Sequence, residues 1–435
     1  MKRTSSYRAG LIGAIREWLP TQFFSRWKLR GGVAWTPQRL LCMALFMAWS
    51  AEQTLAERFD AVHDLLRSLF PRWRLGGTYT GWYVALARWS AVLQPAVAKR
   101  LRREMQAMAR THWSRQGWCA FAADGSRVEC PRTAANEAVL GCAGRKRTAP
   151  QLFLTTLWHM GLGLPWDFRI GPGTSSERRH LEEMLADLPA NALVVADAGF
   201  VGYDLCRRIL AARRSFLLRV GANVHLLSKL GYAVREQGST VYLWPQDRQD
   251  QPPLVMRLIV LPRGRKKMYL LTNVADATEL SDESAAVLYE MRWGVELFYR
   301  SWKQTLCRRK MLSHTPEAAR LELSWGVLGL WLLGMMSVSA ILRRGGDPLA
   351  WSVALARKHV RQTMRRAVSD RRRGTSLSEQ LAQATQDGHE RLGSKKARNW
   401  PHKKREKPPG EPKIMLATAE QIQRAQDLQH ENAAA

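Results

Sequence analysis

Acidic residues are scarce relative to basic ones in this sequence. Asp and Glu together number 37, against 67 Lys and Arg, so the formal net charge is +30 at pH 7. A field of this sign attracts polyanions, and nucleic acid is therefore the first partner to expect. An anionic membrane surface is the alternative, but an interfacial protein needs a lipid-facing stripe, and the sequence shows none.

Cysteine is also sparse, and its spacing excludes a common class of site. The six cysteines form no Cys-x-x-Cys pair and no Cys/His pattern of a zinc finger, which argues against structural zinc. Near the N-terminus, Arg8, Arg16 and Glu17 interrupt any apolar core of a signal peptide. We therefore expect a cytoplasmic, nucleoid-associated protein in a reducing compartment.

A long run without charge occurs at Leu323–Leu342, whose twenty residues equal the length of a membrane span. Gly326, Gly329 and Gly334 fall within it, and the surrounding chain is strongly basic. These features favour a buried helix, with a membrane span as the alternative. The chain contains no P-loop and no dinucleotide-binding fingerprint, so nucleotide-driven chemistry is not expected.

Residues 1–115 have the pattern of helices, with start signals at Thr36-Pro37 and Thr80-Gly81. A basic amphipathic helix is predicted from Ala96 to Arg110. It carries Lys99, Arg100, Arg102 and Arg103. These residues fit either a solvated helix face or a surface that grips DNA phosphates, and we predict an N-terminal helical DNA-binding region.

From Trp118 onward the pattern changes to short strands separated by turns rich in Gly and Pro. Three strands in a meander precede a helix, a strand, a second helix and a further strand, which is the ribonuclease-H-like order. The predicted strands are Trp118–Ala123, Gln151–Met160, Trp166–Ile170, Leu193–Ala196 and Phe216–Val220. This topology places the first and fourth strands side by side.

The predicted fold is therefore α/β (α+β), with a ribonuclease-H-like catalytic core and an inserted β-rich subdomain. The core comprises residues 116–221 and 274–345, and the insertion comprises residues 222–273. A helical and then disordered basic arm is predicted for residues 346–435. Its basic residues, interrupted by prolines, are Lys395, Lys396, Arg398, Lys403, Lys404, Arg405 and Lys407.

Two aspartates follow apolar strands of this core. Asp124 stands in Ala-Ala-Asp-Gly-Ser-Arg, and Asp197 stands in Val-Val-Ala-Asp-Ala-Gly-Phe. Turn chemistry alone can explain an aspartate near glycine. Because both follow strands predicted to be neighbours, they lie at the edge where α/β sheets usually carry their sites.

A helix predicted from Ser284 to Lys310 has two distinct faces at 100° per residue. The predicted buried stripe is Val287, Met291, Val295, Phe298 and Trp302. The opposite face is Tyr289, Arg292, Glu296 and Lys303, with Arg300 beside it. A solvated helix face with an Arg292–Glu296 ion pair is the alternative to a functional surface.

The spacing Tyr-x2-Arg-x3-Glu-x6-Lys on this helix resembles the signature of bacterial DDE transposases of the insertion sequence 4 family. Asp124 with Gly-Ser, and Asp197 with Ala-Gly-Phe, likewise resemble the family's first and second aspartate motifs. The resemblance covers roughly residues 116 to 345. It implies that Asp124, Asp197 and Glu296 are the catalytic carboxylates, which hold two Mg²⁺ ions for phosphodiester cleavage, with Mn²⁺ as a substitute.

The resemblance also implies DNA contacts. Tyr289, Arg292 and Lys303 are expected to bind strand phosphates, with Arg300 beside them. Arg145, Lys146 and Arg147 either follow DNA phosphates or form a solvated loop. Some relatives stack a flipped base on a Trp of the insertion. Here the residues that can serve are Tyr269 and Trp244, although the latter also fits ordinary strand packing.

The expected partners are double-stranded DNA, in the form of the element's terminal inverted repeats and target DNA, and a second copy of the chain. No membrane partner is expected. Two alternatives share the same charge pattern: a ribonuclease-H-like nuclease without strand transfer, and a non-catalytic DNA-binding protein derived from a domesticated or decayed element. The complete set of Asp124, Asp197 and Glu296 argues against a decayed element, whereas a nuclease would use the same three residues and only its products would distinguish it from a transposase.

Overall fold

The computed structural model describes residues 7–27, 29, 32–141, 149–264, 266–369, 375–386 and 410–434. The basic residues predicted at positions 395–407 lie outside the described residues. The helices are α1 (Tyr7–Trp18), α2 (Thr21–Phe24), α3 (Pro37–Trp49), α4 (Leu55–Leu69), α5 (Tyr79–Ala109), α6 (Ala134–Leu140), α7 (Glu177–Met184), α8 (Tyr203–Ala211), α9 (Asp282–Met291), α10 (Trp293–Arg300), α11 (Pro316–Leu342), α12 (Val353–Val368), α13 (Leu377–Ala382) and α14 (Ala419–Ala434).

The strands of the described residues join into a single mixed sheet of ten strands, in the order β10-β6-β7-β8-β9-β5-β4-β1-β2-β3. They are β1 (Cys119–Glu129), β2 (Gln151–His159), β3 (Leu164–Pro172), β4 (Ala192–Ala196), β5 (Ser215–Val220), β6 (His225–Ser228), β7 (Thr240–Leu243), β8 (Leu254–Arg263), β9 (Lys266–Thr272) and β10 (Lys413–Leu416). The molecule is thus a mixed α/β protein built on one large sheet.

The strands β1 to β5 form the half of the sheet that positions the aspartates. β1 pairs antiparallel with β2 on one side and parallel with β4 on the other, and β4 pairs parallel with β5. The adjacency predicted for the first and fourth strands is therefore confirmed. β4 is buried along its whole length, in keeping with its uninterrupted apolar sequence, because a central parallel strand is covered on both faces.

The segment predicted as an insertion continues this sheet rather than forming a separate one. β9 pairs antiparallel with β5, and β8, β7 and β6 follow outward. β6 was not among the predicted strands. Its four residues are too few to show a periodic pattern.

The prediction of a disordered C-terminal arm is wrong for residues 413–434. β10 adds to the sheet in parallel with β6, and α14 follows it. On α14, Ala425 and Leu428 are buried, and the Gln429 amide donates to the backbone oxygen of Tyr232. The polar composition concealed this packing, because a short strand and a few apolar residues are enough to dock a segment on an existing sheet edge.

α11 is long and apolar enough to cross a membrane by length and composition, but 94% of its most apolar window is buried inside the protein. It packs against α3 and α5 of the N-terminal region, against α13, and against β3. The prediction of a buried helix is confirmed. The N-terminal helices and the sheet consequently share one continuous hydrophobic core.

The helix predicted from Ser284 to Lys310 is interrupted. α9 and α10 meet at Arg292, and a π-helical turn from Ser301 to Thr305 follows α10. Lys310 lies beyond the last helical turn, and its backbone forms an isolated parallel β-bridge with Glu129. These breaks shift the phase assumed for a regular helix, so Val287, predicted to be buried, is 41% exposed.

The basic face predicted on α5 is largely neutralised by acidic neighbours. Arg102 pairs with Asp187 at 2.8 Å and with Asp167 at 3.6 Å. Arg100 pairs with Glu104 at 3.1 Å and donates to the backbone oxygen of Trp18. Guanidinium groups that already pair with carboxylates have fewer free donors for a DNA phosphate. This face therefore fits a structural role better than the predicted binding of DNA phosphates.

We expect opposite stability effects from alanine at two helical glycines. At Gly329 on α11, an added methyl group would lie 2.6 Å from Cβ of Ala48, whereas nothing lies within 4 Å at the exposed Gly13 of α1. Gly329→Ala should lower the free energy of unfolding by about 1–3 kcal/mol through overpacking. Gly13→Ala should raise it by about 0.5–1 kcal/mol through helix propensity. Denaturant unfolding of both variants measures the difference, and an equal effect at the two sites would contradict the packing described for α11.

Candidate active site

Asp124 and Asp197 are neighbours because of the register between β1 and β4. The last parallel pair in that register is Ala123 with Ala196, and each aspartate follows directly. Asp124 lies within β1 rather than beyond its end, since β1 continues to Glu129 in its pairing with β2. The Asp197 carboxylate caps the turn after β4 by accepting from the backbone N–H of Gly199 at 2.9 Å.

α10 brings Glu296 to the same edge of the sheet. The helix is fixed by Tyr299, whose buried hydroxyl donates to the backbone oxygen of Asp124 at 2.7 Å and to that of Leu154 at 3.3 Å. One turn further on, Lys303 donates from Nζ to the hydroxyl of Ser126 at 2.8 Å. Tyr299 was missed in the sequence, because a tyrosine on an amphipathic helix is indistinguishable there from ordinary core packing.

The electrostatics of Asp124 show that the three carboxylates interact. Its pKa is raised to about 7, mainly by burial and in part by the nearby charges of Asp197 and Glu296. The backbone N–H of Gly125 and the Arg292 guanidinium act in the opposite direction. A partly buried carboxylate beside two others is unfavourable when ionised, and a cation at this position would relieve the repulsion.

Arg292 holds Glu296 in the structure. Its Nη2 donates to Oε1 of Glu296 at 2.8 Å, and its guanidinium lies over the ring of Tyr289, 5.4 Å from the centroid. Arg292 is 8% exposed and Tyr289 is 6% exposed, so the face predicted to be polar is mostly covered. Arg292, Glu296 and Lys303 nevertheless gather around Asp124, as the predicted helix face requires.

A fourth carboxylate, that of Glu177, lies beside the two aspartates and was not identified in the sequence. Glu177 is the first residue of α7. A methyl group added at Gly199 would lie 2.5 Å from its Oε1, and one added at Gly125 would lie 2.9 Å from its Oε2. The glycines that follow Asp124 and Asp197 thus leave the space that the Glu177 carboxylate occupies.

The donor set suits a hard divalent cation, since Asp124, Asp197 and Glu296 offer only carboxylate oxygens. Among the described residues, however, no group of three or more His, Cys, Asp or Glu side chains lies close enough together to hold a metal ion as positioned. One oxygen of Glu296 is already engaged by the guanidinium of Arg292 at 2.8 Å.

Arg300 is the last residue of α10. It is exposed and lines a cavity of about 510 Å³ together with Trp158, Trp293 and Trp351. Arg300 follows Glu296 by four residues on α10, so the two lie on the same side of that helix, and its predicted contact with DNA stays a prediction. Arg145, Lys146 and Arg147 lie outside the described residues.

The two residues proposed for base stacking are covered in this structure. Trp244 is 3% exposed, and its Nε1 donates to the backbone oxygen of Gln251 at 2.7 Å. Tyr269 is 8% exposed, and a hydrogen bond to Glu411 raises the pKa of its hydroxyl to about 12. Neither ring presents a face to solvent, so the ordinary packing interpretation applies to both.

Comparison with known proteins finds transposases in both the family models and the individual relatives. A family model for the transposase DDE domain matches residues 116–332, which contain Asp124, Asp197 and Glu296. The chain is 25% identical over 337 residues to the transposase InsG for insertion sequence element IS4 of Escherichia coli (strain K12). That alignment covers 73% of this chain and 74% of InsG. A transposase of insertion sequence element IS4SA from Synechocystis sp. is 19% identical over 187 residues, covering 41% of this chain and 52% of that protein.

A cryo-electron microscopy structure of the piggyBac transposase synaptic complex with hairpin DNA aligns with 91% of this chain and 87% of its own, at 10% identity and a TM-score of 0.41. At that TM-score the likeness carries no argument. The family match and the InsG alignment do, because they span the sheet edge and the helix that carry the carboxylates. The chain therefore belongs to the DDE transposases of the insertion sequence 4 family, and it is an enzyme that acts on DNA.

Proposed function

We propose that this transposase cleaves DNA at the ends of an insertion sequence and joins the freed 3′-hydroxyl to target DNA, with Asp124, Asp197 and Glu296 as its catalytic carboxylates. One observation carries the proposal: two strands and one helix, distant in sequence, bring these carboxylates into electrostatic contact at a single sheet edge. The strand order β3-β2-β1-β4-β5 supports a ribonuclease-H-like core around them.

Divalent metal ions are general in this family, and we propose two Mg²⁺ ions here, with Mn²⁺ as a substitute, held by Asp124, Asp197 and Glu296. When bound, such ions activate the attacking oxygen and stabilise the leaving oxygen of an in-line displacement. The chain itself supplies the frame. Tyr299 fixes the catalytic helix on β1, and Gly199 fixes the Asp197 carboxylate through its backbone N–H.

The cationic side chains around the carboxylates suit the DNA backbone. Lys303 reaches Ser126, two residues beyond Asp124, so a phosphate at the carboxylates falls within its range. Arg292 offers a planar guanidinium that matches a phosphate in two hydrogen bonds. We propose that the ring of Tyr289 packs against the Arg292 guanidinium and holds it in place, rather than contacting DNA directly.

Arg292 links DNA binding to the arrangement of the carboxylates. In the free protein it is paired with Glu296, and this pair competes with any cation for the Glu296 oxygens. A DNA phosphate that captures Arg292 would free Glu296 to turn toward Asp124 and Asp197. We therefore propose that a cation is held by Asp124 and Asp197 in the free protein and that Glu296 joins them when DNA is bound, a form of substrate-induced assembly.

We further propose a division into an N-terminal helical DNA-binding region (1–115), core parts at 116–221 and 274–345, a β-rich insertion (222–273) and a C-terminal part (346–435). The enzyme acts as a homodimer on paired terminal inverted repeats and target DNA, in the cytoplasm at the nucleoid. The shared core of α11 with α3 and α5 supports a helical region held rigidly against the catalytic sheet.

The first experiment measures cleavage of labelled DNA that carries the gene's own flanking ends, with Mg²⁺ or Mn²⁺. We expect Asp197→Ala and Glu296→Ala to lower the cleavage rate by more than about 100-fold, since loss of even an outer-shell metal partner costs roughly 10–100-fold. Glu290→Ala, which removes an exposed acid from the preceding helix, is the matched control and should cleave normally. Equal cleavage by the triad variants would refute the catalytic assignment.

Product analysis separates the transposase from a nuclease that uses the same residues. Pre-cleaved ends with a free 3′-hydroxyl, mixed with a target plasmid, should become joined to it by the wild-type protein. Cleavage without any joined product would favour a nuclease, and binding without cleavage would favour a non-catalytic DNA-binding protein.

We expect metal affinity to depend on pH through Asp124. Because burial raises its pKa to about 7, the carboxyl is protonated below that value and must lose its proton to bind a cation. The affinity for Mn²⁺, measured by calorimetry on DNA-free protein, should fall by up to about tenfold per pH unit below about 7 and level off above it. Asp124→Asn should bind more weakly and with a flatter profile. A wild-type profile that is flat across this range would contradict the prediction.

The Arg292 linkage predicts opposite effects on two measurements. Arg292→Gln should tighten Mn²⁺ binding by the DNA-free protein, because Glu296 loses its competing partner, while DNA cleavage falls. Arg300→Gln removes the same charge from an exposed position on the same helix and should leave Mn²⁺ affinity unchanged. Weaker Mn²⁺ binding by Arg292→Gln would show that the pair positions Glu296 instead of withholding it.

A further inference from the structure

A row of basic side chains lies on α12, outside the carboxylate site. Arg357, Lys358, Arg361 and Arg365 are spaced so that they share one face of the helix. They line a groove of about 600 Å³ between α12, the middle of α4 and the segment that follows α3. We call this the α12 groove. Sequence analysis assigned no role to it, since basic residues on an amphipathic helix are typical of a solvated face.

The α12 groove continues toward the catalytic helix. Ala354 lines it and also lines the cavity of about 510 Å³ that contains Arg300 of α10. From Ala354 to Arg365 the helix rises roughly 16 Å at about 1.5 Å per residue. That length corresponds to about five base pairs of duplex DNA at about 3.4 Å per step. The basic face is therefore long enough to follow a DNA backbone that leaves the active site past Arg300.

Carboxylates balance the positive charge of this region only in part, with Glu322 at 3.9 Å from Arg58. The pKa of Arg361 is lowered to about 10, mainly by burial and then by the neighbouring charges of Arg357, Arg58 and Arg365, while Cys307 acts in the opposite direction. The pKa of Arg308 is likewise lowered to about 9, mainly by burial and then by Arg58, Arg361 and Arg357, while Glu322 raises it. Like charges crowded together and partly removed from water are costly, and a bound polyanion would relieve them.

Acidic residues are present but do not neutralise the row. Glu52 and Asp64 also line the groove, yet within the described part of the chain neither forms an ion pair with a basic residue of α12. Arg361 has a structural duty, since it donates to the backbone oxygens of Trp49 and Ser50 at the end of α3. Lys358 and Arg365 are exposed and remain available. This contrasts with α5, where carboxylates occupy the guanidinium groups.

We propose that the α12 groove binds the phosphate backbone of double-stranded DNA beside the active site, with Lys358 and Arg365 as its main contacts. The proposal rests on the proposed function, because it extends the DNA path from the carboxylates along α12. A duplex fits the charge of the groove and its continuity with Arg300. The contacts are to phosphates, so they add affinity without reading base sequence.

The test is the salt dependence of binding to a non-specific duplex, measured by fluorescence anisotropy without divalent metal. Cleavage cannot occur under these conditions, so the result is independent of the catalytic proposal. Lys358→Gln/Arg365→Gln should lower affinity, and the slope of log K against log salt concentration should become shallower by about 2, at about 0.9 per lost phosphate contact. Thermal unfolding should be unchanged, since both side chains are exposed.

The matched control is Arg235→Gln/Lys413→Gln, which removes the same charge from exposed positions at the β6 and β10 end of the sheet. It should change the slope by much less. An unchanged slope in the α12 variant, or an equal change in the control, overturns the proposal. A wild-type slope of log K against log salt concentration, combined with altered self-association of the DNA-free α12 variant, also overturns it. That result would make the groove a contact between copies of the chain.

Discussion

The parallel pairing of β1 with β4 is the constraint on which the rest of the site depends. Its register ends at Ala123 and Ala196, so the next residue on each strand is an aspartate at the same sheet edge. A shift of one residue would send one carboxylate to the opposite face. The pairing is secured by burial of both strands, because an apolar strand covered on both faces cannot slip without exposing its side chains.

The third carboxylate depends on how the catalytic helix is docked. Glu296 comes from α10, and the tie between the Tyr299 hydroxyl and the Asp124 backbone oxygen sets the height and rotation of that helix. α11 follows in the chain and is buried against α3 and α5, so it also fixes the C-terminal end of the segment that carries α10. The helical N-terminal region thereby becomes part of the support of the site, since it shares the core that holds α11 in place.

Charge is distributed so that one sign is in excess at each place where function requires a partner. At the sheet edge, carboxylates accumulate around Asp124, and in the α12 groove guanidinium groups accumulate around Arg361. On α5, by contrast, Arg102 is matched by Asp167 and Asp187. Clusters in which one sign of charge is in excess are complementary to cations and to DNA phosphates respectively, whereas matched pairs serve the fold.

The sequence by itself determined the mixed α/β class, the adjacency of the first and fourth strands, the buried nature of Leu323–Leu342 and the family, because hydrophobic periodicity and motif spacing are local properties. Only the tertiary structure decided the docking of residues 413–434 on β6, the covering of Tyr269 and Trp244, and the place of Glu177 beside Gly125 and Gly199. These features depend on contacts between segments far apart in the chain. No local pattern records such contacts, since the same residues can be solvated or buried according to what packs against them.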